Sequence, residues 1–357
     1  MKMDNIKISI VLPVYNTGEY LKTGLNSLIN QTLSDIEIIC VNDGSTDNSL
    51  DTLRYYQKLD QRIIVLSQKN SGAGVARNSG ANASHGKYII FLDPDDFFEL
   101  NMLEKLYNKM EATNADICIF QGFYYNDKTQ EVKSSPVELL RKEYIPKKEI
   151  FSYKDIPENI FTITTGGAWN KIFRNNFIKC NNIKFQALKN TNDFYFTFTA
   201  MICAKAITIL NEPLIYYRRN VDSSLQSTKQ NYPIEFFKAL DTLYDKLNEL
   251  KIYEDVKKSF QTRALISANW NLKSIKNREA AELVYNKIKH EVIKKYDVLS
   301  GDINDYPPFA AHAFINFKLI SELEFNEYHE RTLKYKLVSK FHVIFNKLKH
   351  YYKLKLK

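Results

Sequence analysis

Three carboxylates are crowded into four residues at the end of an apolar run. Asp93, Asp95 and Asp96 follow the segment Tyr-Ile-Ile-Phe-Leu at 88–92, which predicts a strand buried on both faces. Like charges this close repel, so the cluster needs compensation. A divalent cation with diphosphate oxygens would supply it, because hard cations prefer oxygen ligands. The alternative is a solvated acidic turn in which Asp96 caps the next helix.

The elements before this cluster predict a sheet that brings other polar residues beside it. They are strands at 8–12, 37–41 and 63–66 and helices at 20–30 and 49–59. We expect Pro13 to end the first strand, because it cannot donate to a ladder. Alternating strands and helices favour a parallel sheet, which binds ligands at the carboxyl ends of its strands. Tyr15, Asp43 and Arg77 lie at or just beyond those ends, so one cleft should hold them with the acidic cluster.

Composition excludes some classes of protein. The chain has 357 residues and a net charge of +9, but eight lysines and no acid lie within 334–357, so the remainder carries only +1. Charge confined to one end disfavours a nucleic-acid partner. The four cysteines have neither metal-ligand spacing nor a pairing framework, which indicates reduced thiols. Reduced thiols indicate a cytoplasmic protein, and we also expect no signal peptide and no membrane span.

Four motifs in the first hundred residues together resemble the family-2 glycosyltransferases of the GT-A fold. They are Val-Leu-Pro-Val-Tyr-Asn at 11–16, Val-Asn-Asp-Gly-Ser-Thr-Asp at 41–47, Asn-Ser-Gly at 70–72 with Ala-Arg-Asn-Ser-Gly at 76–80, and Leu-Asp-Pro-Asp-Asp at 92–96. Each is weak alone, and the ordered set is specific. The fold implied is an α/β nucleotide-sugar-binding domain with a mostly parallel central sheet.

The resemblance implies a nucleotide-binding role for five residues of this half. Pro13 and Tyr15 correspond to the loop that packs on the base, although Tyr15 could instead pack at a strand end. Asp43 corresponds to the acceptor of hydrogen bonds from the base, with an Asx turn as the alternative. Asn70 and Arg77 correspond to base and ribose contacts, and a structural ion pair is the alternative for Arg77.

The acidic cluster has two roles by the same resemblance. Asp93 corresponds to the ribose-side carboxylate of the Asp-x-Asp motif. Asp95 corresponds to the ligand of a Mn²⁺ or Mg²⁺ ion. Pro94 stands where the family usually has a small residue whose side chain is not a ligand.

Motifs of the second half are fainter. Trp169 and Lys171 belong to a segment similar to one that borders the donor sugar in the family, with core packing as an equal alternative for Trp169. Asp193 matches the catalytic base of the Glu-Asp motif, and Asn192 replaces the Glu. The alternative for Asp193 is a helix N-cap alone.

A Tyr-Arg strand and a serine loop complete the resemblance. They imply contacts of Arg218 and Ser224 with the diphosphate, with Arg219 as the other candidate cation. The sequence has no Gln-x-x-Arg-Trp, the motif of processive polysaccharide synthases, which favours one sugar per encounter.

We therefore expect a GT-A domain at 1–225, divided into a nucleotide-binding half at 1–115 and an acceptor half at 116–225. A helical region at 226–357 should follow, with predicted helices at 235–250, 256–275 and 280–296 and a break at 302–308. The tail 334–357 has an apolar stripe beside lysines. It indicates a helix on the inner face of the cell membrane, with packing on the helical region as the alternative.

The expected function is inverting, metal-dependent transfer of one sugar, a hexose or N-acetylhexosamine, from a nucleotide-sugar. A UDP-sugar is the favoured donor, and the acceptor would be a hydroxyl of a glycan or lipid-linked molecule in surface polysaccharide or lipooligosaccharide synthesis. One rival is a non-catalytic nucleotide- or sugar-binding module of the same fold. Another nucleotide-using enzyme is disfavoured, because the chain lacks Gly-x-Gly-x-x-Gly after its first strand and a phosphate loop.

Overall fold

The first third of the chain alternates strands and helices, as predicted. A computed structural model describes residues 5–132, 139–219 and 230–332. The strands are β1 (Ile8–Val14), β2 (Ile36–Asn42), β3 (Ile63–Ser67), β4 (Tyr88–Phe91), β5 (Phe97–Phe98), β6 (Ile117–Asn126), β7 (Glu131–Val132), β8 (Lys171–Arg174) and β9 (Ile207–Arg219). The helices up to residue 249 are α1 (Gly18–Ile29), α2 (Ser49–Leu59), α3 (Ala73–Asn82), α4 (Met102–Thr113), α5 (Asn175–Cys180), α6 (Asn192–Cys203) and α7 (Glu235–Glu249).

One sheet runs in the order β3-β2-β1-β4-β8-β6-β9-β5, with β7 paired to β6. The pairs among β1 to β4 are all parallel, so their carboxyl ends meet at one edge of the sheet. The prediction that Pro13 ends β1 was wrong, since β1 continues to Val14. Pairing of β4 to β1 stops at Val11, so no β4 residue faces Pro13 and its missing N–H costs no ladder bond on that side.

The second half of the sheet is mixed. β8 is antiparallel to both β4 and β6, whereas β6 and β9 run parallel to each other. The β6–β9 pairing shifts register around Gln121 and then continues to Asn126 and Arg219. We call the paired stretches 122–126 and 215–219 the β6–β9 arm. The strand β5, which directly follows the acidic residues, pairs with β9 and so places these residues beside the arm.

Helices cover both faces of the parallel strands. Alternate residues of β1 and β2, with apolar residues of α1, α2 and α4, form one fully buried cluster. The other face holds Ile39, Val41 and Ala76 of α3. A Cβ at Gly80 of α3 would lie 2.4 Å from Cγ1 of Val11, so α3 can approach β1 this closely only with glycine there. These contacts fix α3, and with it Arg77, against the sheet.

The chain divides into two compact units, Met1–Arg263 and Ala264–Lys357. The first contains the sheet, α7 and the start of α8 (Tyr253–Ser274). The second continues through α9 (Arg278–Lys287), a π-helical turn (Ile288–Val292), α10 (Ile293–Lys295), α11 (Ala311–Glu322) and helical residues 325–332. Val284, Ile288, Phe317 and Ile320 are fully buried within this second unit.

The helices predicted at 235–250, 256–275 and 280–296 are confirmed, and short 3₁₀ turns lie in the predicted break at 302–308. In the ranges that the structure describes, no helix combines the length and apolar character needed to cross a membrane. The tail 334–357 lies outside the described residues.

Candidate active site

The loop after β2 is fastened to the loop after β3 through one carboxylate. Asp43 is almost fully buried, and its Oδ1 accepts hydrogen bonds from Gln68 Nε2 at 2.7 Å and from Ser71 N at 2.9 Å. Its Oδ2 accepts from Gly72 N at 2.8 Å. The Asx turn considered for Asp43 belongs to Asn42, whose Oδ1 accepts from Ser45 N. Asp43 therefore braces the loop that leads into α3.

Tyr15 and Asn70 lie exposed at the edge formed by these loops. The Tyr15 side chain is 46 % exposed, so its ring does not pack into the strand end. The loop that follows Tyr15 bonds to the next loop, because Asn16 Oδ1 accepts from Thr46 N at 2.8 Å. Gly44 has a φ of +74° and lies so near Asn70 that a Cβ there would stand 2.8 Å from Asn70 N. Pro13, two residues before Tyr15, is buried within β1.

The three carboxylates after β4 have different environments. Asp93 is partly exposed and pairs with Arg77, at 2.6 Å from Nη2. Asp96 is buried, and its Oδ1 accepts from the N–H of Arg218 at 2.8 Å. The suggestion that Asp96 caps the next helix was wrong, since α4 begins after Asn101 and Asp96 bonds to β9 instead.

This cluster carries more negative charge than the residues around it offset. Burial, with the charge of Asp93, raises the pKa of Asp95 to about 6. Burial and the charges of Asp95 and Asp93 raise the pKa of Asp96 well above its ordinary range. The Asp96 Oδ2 atom is buried and has no hydrogen-bond partner among the residues that the structure describes. These carboxylate oxygens suit a hard divalent cation. Such an ion would offset the charge of Asp95 and so reduce its repulsion of the neighbouring carboxylates.

The cation would need ligands from elsewhere. The described part of the chain holds no group of three or more His, Cys, Asp or Glu side chains arranged to bind a metal alone. Asp95 would thus hold the ion together with oxygens of a bound diphosphate.

Arg77 connects the acidic cluster to α6, the helix that carries the predicted catalytic base Asp193. Its side chain is 10 % exposed, and besides Asp93 it donates from Nη1 to Asn192 Oδ1 at 2.8 Å. The guanidinium lies 5.4 Å from the centroid of the Phe185 ring, which stacks on Phe196 of α6 at 3.9 Å. The ion pair considered for Arg77 is therefore present, with Asp93, and the separate hydrogen bond to Asn192 joins α3 to α6.

Asp193 lies in the first turn of α6. The N-cap of this helix is Thr191, in the left-handed conformation with φ +57°, so the interpretation of Asp193 as an N-cap was wrong. Burial raises the pKa of Asp193, the Arg77 charge lowers it, and the Asp93 charge raises it. Asp193 directly follows Asn192, whose side chain binds Arg77.

Lys171 is fully buried and holds the loop before β8. Its Nζ donates to Thr165 O at 3.1 Å, Gly167 O at 2.7 Å and Asn170 Oδ1 at 2.7 Å. Burial lowers the pKa of Lys171 to about 7, against the opposing influence of the Asp193 carboxylate. Three acceptors match the three N–H donors of an ammonium group. Lys171 thus shapes the loop that carries Trp169.

Trp169 is partly buried and packs on the main core, as the core-packing interpretation expects, and its place beside a donor sugar stays a prediction. It packs on the edge of the main core and also stacks on Tyr217 of β9, with ring centroids 4.9 Å apart and an interplanar angle of 10°. One side of the indole therefore belongs to the core, and the other belongs to the β6–β9 arm.

Arg218 is enclosed rather than open. Its Nε donates to the Asp95 carbonyl oxygen at 2.7 Å, and its Nη1 pairs with Asp127. Its guanidinium lies 5.1 Å from the Tyr20 ring centroid and 5.0 Å from that of Tyr125. Arg218 fastens β9 to the acidic loop, and Ser224 lies outside the described residues.

Sequence reasoning did not single out Gln68, Asp127, Tyr124 or Tyr217. The first two act through contacts between distant loops, which no local pattern shows. The aromatic density of β6 and β9 was a signal for the tyrosines, because Phe-Tyr-Tyr at 123–125 and Tyr-Tyr at 216–217 place rings on both faces of paired strands.

Comparisons with known proteins agree with this architecture. The profile of Glycosyl transferase family 2 matches residues 9–177. The protein named glycosyltransferase EpsH of Bacillus subtilis (strain 168) is 32 % identical over 271 residues, which cover 73 % of this chain and 74 % of EpsH. The poly(ribitol-phosphate) β-N-acetylglucosaminyltransferase TarP of Staphylococcus aureus (strain N315) is 27 % identical over 309 residues, 84 % of this chain and 89 % of TarP.

A solved structure shows the same fold. S. aureus TarS 1–349, crystallised in complex with UDP-GlcNAc, superposes with a TM-score of 0.62 at 18 % identity, over 88 % of this chain and 92 % of that one. The predicted fold class, a GT-A α/β domain with C-terminal helices, is confirmed. The chain belongs to glycosyltransferase family 2, and it is a glycosyltransferase.

Proposed function

We propose that this glycosyltransferase is inverting and metal-dependent, and that it moves one sugar from a UDP-sugar to a hydroxyl of a glycan or lipid-linked acceptor. Synthesis of a surface polysaccharide or lipooligosaccharide is the proposed setting. The observation that carries the proposal is the bridge of Arg77 between Asp93 and Asn192, the first residue of α6. It supports a single cleft for the nucleotide-side carboxylate and Asp193, because Asp193 is the next residue of that helix.

Asp193 is the proposed general base. It takes the proton from the acceptor hydroxyl, and the oxygen attacks the anomeric carbon from the side opposite the diphosphate. The bond from that carbon to the diphosphate breaks, and the leaving nucleotide keeps the electron pair. A single displacement inverts the anomeric carbon and needs no covalent intermediate. Burial raises the basicity of the Asp193 carboxylate, which suits this role.

The nucleotide would bind over the loops after β1, β2 and β3. The exposed Tyr15 ring offers a face for the base, and Asn70 lies at the same edge. Each oxygen of Asp43 has two lone pairs, so Oδ2, with one bond from Gly72, retains capacity for a further donor. We propose Asp93 and Arg77 for the ribose side. A Mn²⁺ or Mg²⁺ ion held by Asp95 would stabilise the charge that grows on the leaving diphosphate.

The donor class rests on similarity. TarS was crystallised with UDP-GlcNAc, and TarP is named as an N-acetylglucosaminyltransferase acting on poly(ribitol phosphate). These names support a UDP-sugar with a hexose or N-acetylhexosamine and a polymer acceptor. We propose that 1–225 forms the transferase domain and that the tail 334–357 contacts the inner face of the membrane, where lipid-linked acceptors are held.

The test is thermal unfolding with UDP, GDP, CMP and dTDP, each with and without Mn²⁺. A ligand of the native state at a hundred times its Kd adds about 2.7 kcal/mol of stability and raises the midpoint. We expect a Mn²⁺-dependent shift with UDP, which Asp95→Asn removes. A Mn²⁺-dependent shift with another nucleotide would mean that the donor sugar is carried by that nucleotide and not by UDP. No shift with any nucleotide would contradict the site.

The non-catalytic alternative depended on the Asn that replaces Glu at 192. That Asn bonds to Arg77, so the substitution preserves a contact in this cleft. UDP binding without transfer and without donor hydrolysis would favour the alternative.

A further inference from the structure

The segment Ala-Arg-Asn-Ser-Gly at 76–80 contains an asparagine to which the proposed mechanism gives no role. Asn78 lies in α3, directly after Arg77, and its side-chain amide binds Phe185, which is 107 positions further along the chain. The Asn78 Nδ2 atom donates to the Phe185 carbonyl oxygen at 2.8 Å, and Asn78 Oδ1 accepts from the Phe185 N–H at 2.9 Å. One side chain therefore satisfies both backbone polar groups of a distant residue.

Phe185 belongs to the segment that leads into the helix of the proposed base. We call residues 181–191, between α5 and α6, the α5–α6 loop. This loop, which the structure describes in full, contains no strand or helix. Its backbone polar groups therefore depend on bonds to other parts of the chain. The position of the loop sets where α6 begins, and Asp193 is the second residue of α6.

The loop lies directly against the first turn of α3. A Cβ at Gly74 would stand 2.2 Å from the Gln186 carbonyl oxygen and 3.0 Å from Cβ of Asn192, so the loop can approach α3 this closely only with glycine there. The Gln186 N–H in turn donates to the Asn192 carbonyl oxygen at 3.3 Å. The stretch from Phe185 to the start of α6 is thus held on α3.

The ring of Phe185 extends this contact into α6 itself. It is buried, and it stacks on Phe196 of α6 with ring centroids 3.9 Å apart and an interplanar angle of 8°. Its edge-to-face contact with Phe91 of β4 has a centroid distance of 4.8 Å. Close-packed rings transmit a displacement to their neighbours. A shift of the Phe185 backbone would therefore move the helix that carries Asp193.

The same helix α3 is fixed on the nucleotide side. Its N-cap is Gly72, whose N–H donates to Asp43 Oδ2 at 2.8 Å. One helix therefore holds the loop braced by Asp43 and, through Asn78, the backbone that leads to Asp193.

We propose that Asn78 is a positioning residue for sugar transfer. By binding both backbone groups of Phe185, it sets the start of α6, and with it the Asp193 carboxylate, relative to the loops proposed for the nucleotide. The inference rests on the proposed function, because it takes Asp193 as the base. Asn78 acts through Phe185 and contacts neither substrate. A misplacement of a reacting group by about 1 Å can lower a rate by about a hundredfold, so the effect should appear in catalysis.

The first experiment measures hydrogen exchange in the full-length protein by mass spectrometry. Asn78→Ala removes both bonds to Phe185. Asn175→Ala is the matched control, because Asn175 is a buried asparagine whose Nδ2 donates to the Gly86 carbonyl oxygen at 2.8 Å, before β4 and thus at the opposite edge of the sheet. We expect amides of 183–193 to exchange about tenfold faster in Asn78→Ala, and those of 84–87 to do so in Asn175→Ala.

The second experiment measures release of UDP from UDP-GlcNAc, UDP-glucose and UDP-galactose, with water in place of the acceptor. Asp193 would take a proton from water, whose oxygen attacks the anomeric carbon as the bond to the diphosphate breaks. We expect kcat to fall at least about tenfold in Asn78→Ala, with KM for the donor changed by less than about twofold, because the nucleotide-side loops keep their contacts. Asn175→Ala should retain the wild-type kcat.

Asn78→Asp tests the amide donor alone. Aspartate has the shape of asparagine and keeps an acceptor for the Phe185 N–H, but it places a second oxygen against the Phe185 carbonyl. We expect the same loss of kcat as in Asn78→Ala, and this variant also decides the matter if the alanine variant does not fold. Full activity of Asn78→Asp would mean that Asn78 only fills space.

Two further results would overturn the inference. One is equal exchange at 183–193 in Asn78→Ala and the wild type, and the other is a wild-type kcat in Asn78→Ala. Failure of the proposed function looks different. Release of UDP that survives Asp193→Asn would remove the base, and the inference with it. If Asp193→Asn loses release and the Asn78 variants keep it, only the inference is wrong.

The exchange measurement needs no sugar. If the wild-type protein releases no UDP from any of the three donors, the non-catalytic alternative gains support, and exchange at 183–193 alone decides whether Asn78 fixes the start of α6.

Discussion

The guanidinium of Arg77 donates a hydrogen bond to the side-chain oxygen of Asn192 at 2.8 Å. The contact joins α3, which follows the nucleotide-side loops, to the start of α6, where Asp193 is the next residue. An amide accepts this bond as a carboxylate would, but it does not neutralise Arg77. Asp93 is therefore the ion-pair partner of Arg77, and the charge of Arg77 continues to lower the pKa of Asp193.

Asn192→Glu should move the acid limb of the pH–rate profile to higher pH. Transfer needs the Asp193 carboxylate, so kcat/KM falls as the pH drops through the pKa of this group. Burial already raises that pKa above the ordinary value of about 3.9. A second carboxylate would engage Arg77 and repel Asp193, which raises the pKa of Asp193 further.

The pH profile of kcat/KM measures this shift, and Asn108→Glu, on the exposed face of α4, is the matched control. An acid limb that stays in place in Asn192→Glu would show that Asp193 is not the titrating base.

Asn192→Ala should destabilise the protein. The buried Nη1 of Arg77 would lose its acceptor, and a hydrogen bond to a charged group contributes about 2 kcal/mol. Urea unfolding should show a lower midpoint with an unchanged slope. Asn192→Asp retains an acceptor and should keep most of the stability. Equal midpoints for Asn192→Ala and the wild type would mean that the bridge is not formed in solution.

Lys171→Met should lower both stability and transfer while UDP still binds. The substitution removes the donor from the oxygens of Thr165, Gly167 and Asn170, at a cost of about 3 kcal/mol. The loop that places Trp169 would then be less ordered, although the nucleotide-side loops are unchanged.

Thermal unfolding with and without UDP and Mn²⁺, together with a transfer assay, separates these effects. Lys58→Met, on the exposed side of α2, is the control. Wild-type transfer by Lys171→Met would exclude a role of Lys171 in shaping this loop.

Arg263→Met should destabilise the segment that precedes Thr165. Arg263 is buried in α8, and it donates to Phe161 O and Thr164 O, both at 2.6 Å. Loss of two charged hydrogen bonds to buried carbonyls should lower the free energy of unfolding by about 3 kcal/mol. Arg54→Met is the control for the change in residue type. A midpoint equal to that of the control would show that α8 does not brace the segment before Thr165.

Much of the nucleotide-side half follows from local pattern. Short apolar runs separated by helical periods predict β1 to β4 and the helices between them, and parallel strands align their carboxyl ends. Asp43, Arg77 and Asp93 lie at the same edge of the sheet for that reason, because they follow β2, β3 and β4, three of the four parallel strands β1 to β4. The family motifs lie on those same loops, so sequence similarity and topology indicate one site.

The remaining features depend on contacts between distant residues. Asp96 resembles a cap in the sequence, but the register of β9 brings the Arg218 N–H to its carboxylate. Arg218 resembles a free cation, yet β6, β9 and α1 enclose it with Asp127 and aromatic rings. Pairing of β6 with β9 across about 90 residues decides both cases, and no periodicity encodes it.

The central claim, that Asp193 is the base of a sugar transfer, is tested most directly by Asp193→Asn. The donor from the nucleotide screen is used, with transfer followed as release of the nucleotide in the presence of acceptor, and nucleotide binding is followed by thermal unfolding with Mn²⁺. The account predicts a loss of transfer of at least about a hundredfold, with the nucleotide shift largely retained. Transfer at the wild-type rate by Asp193→Asn, with the nucleotide bound, would contradict it.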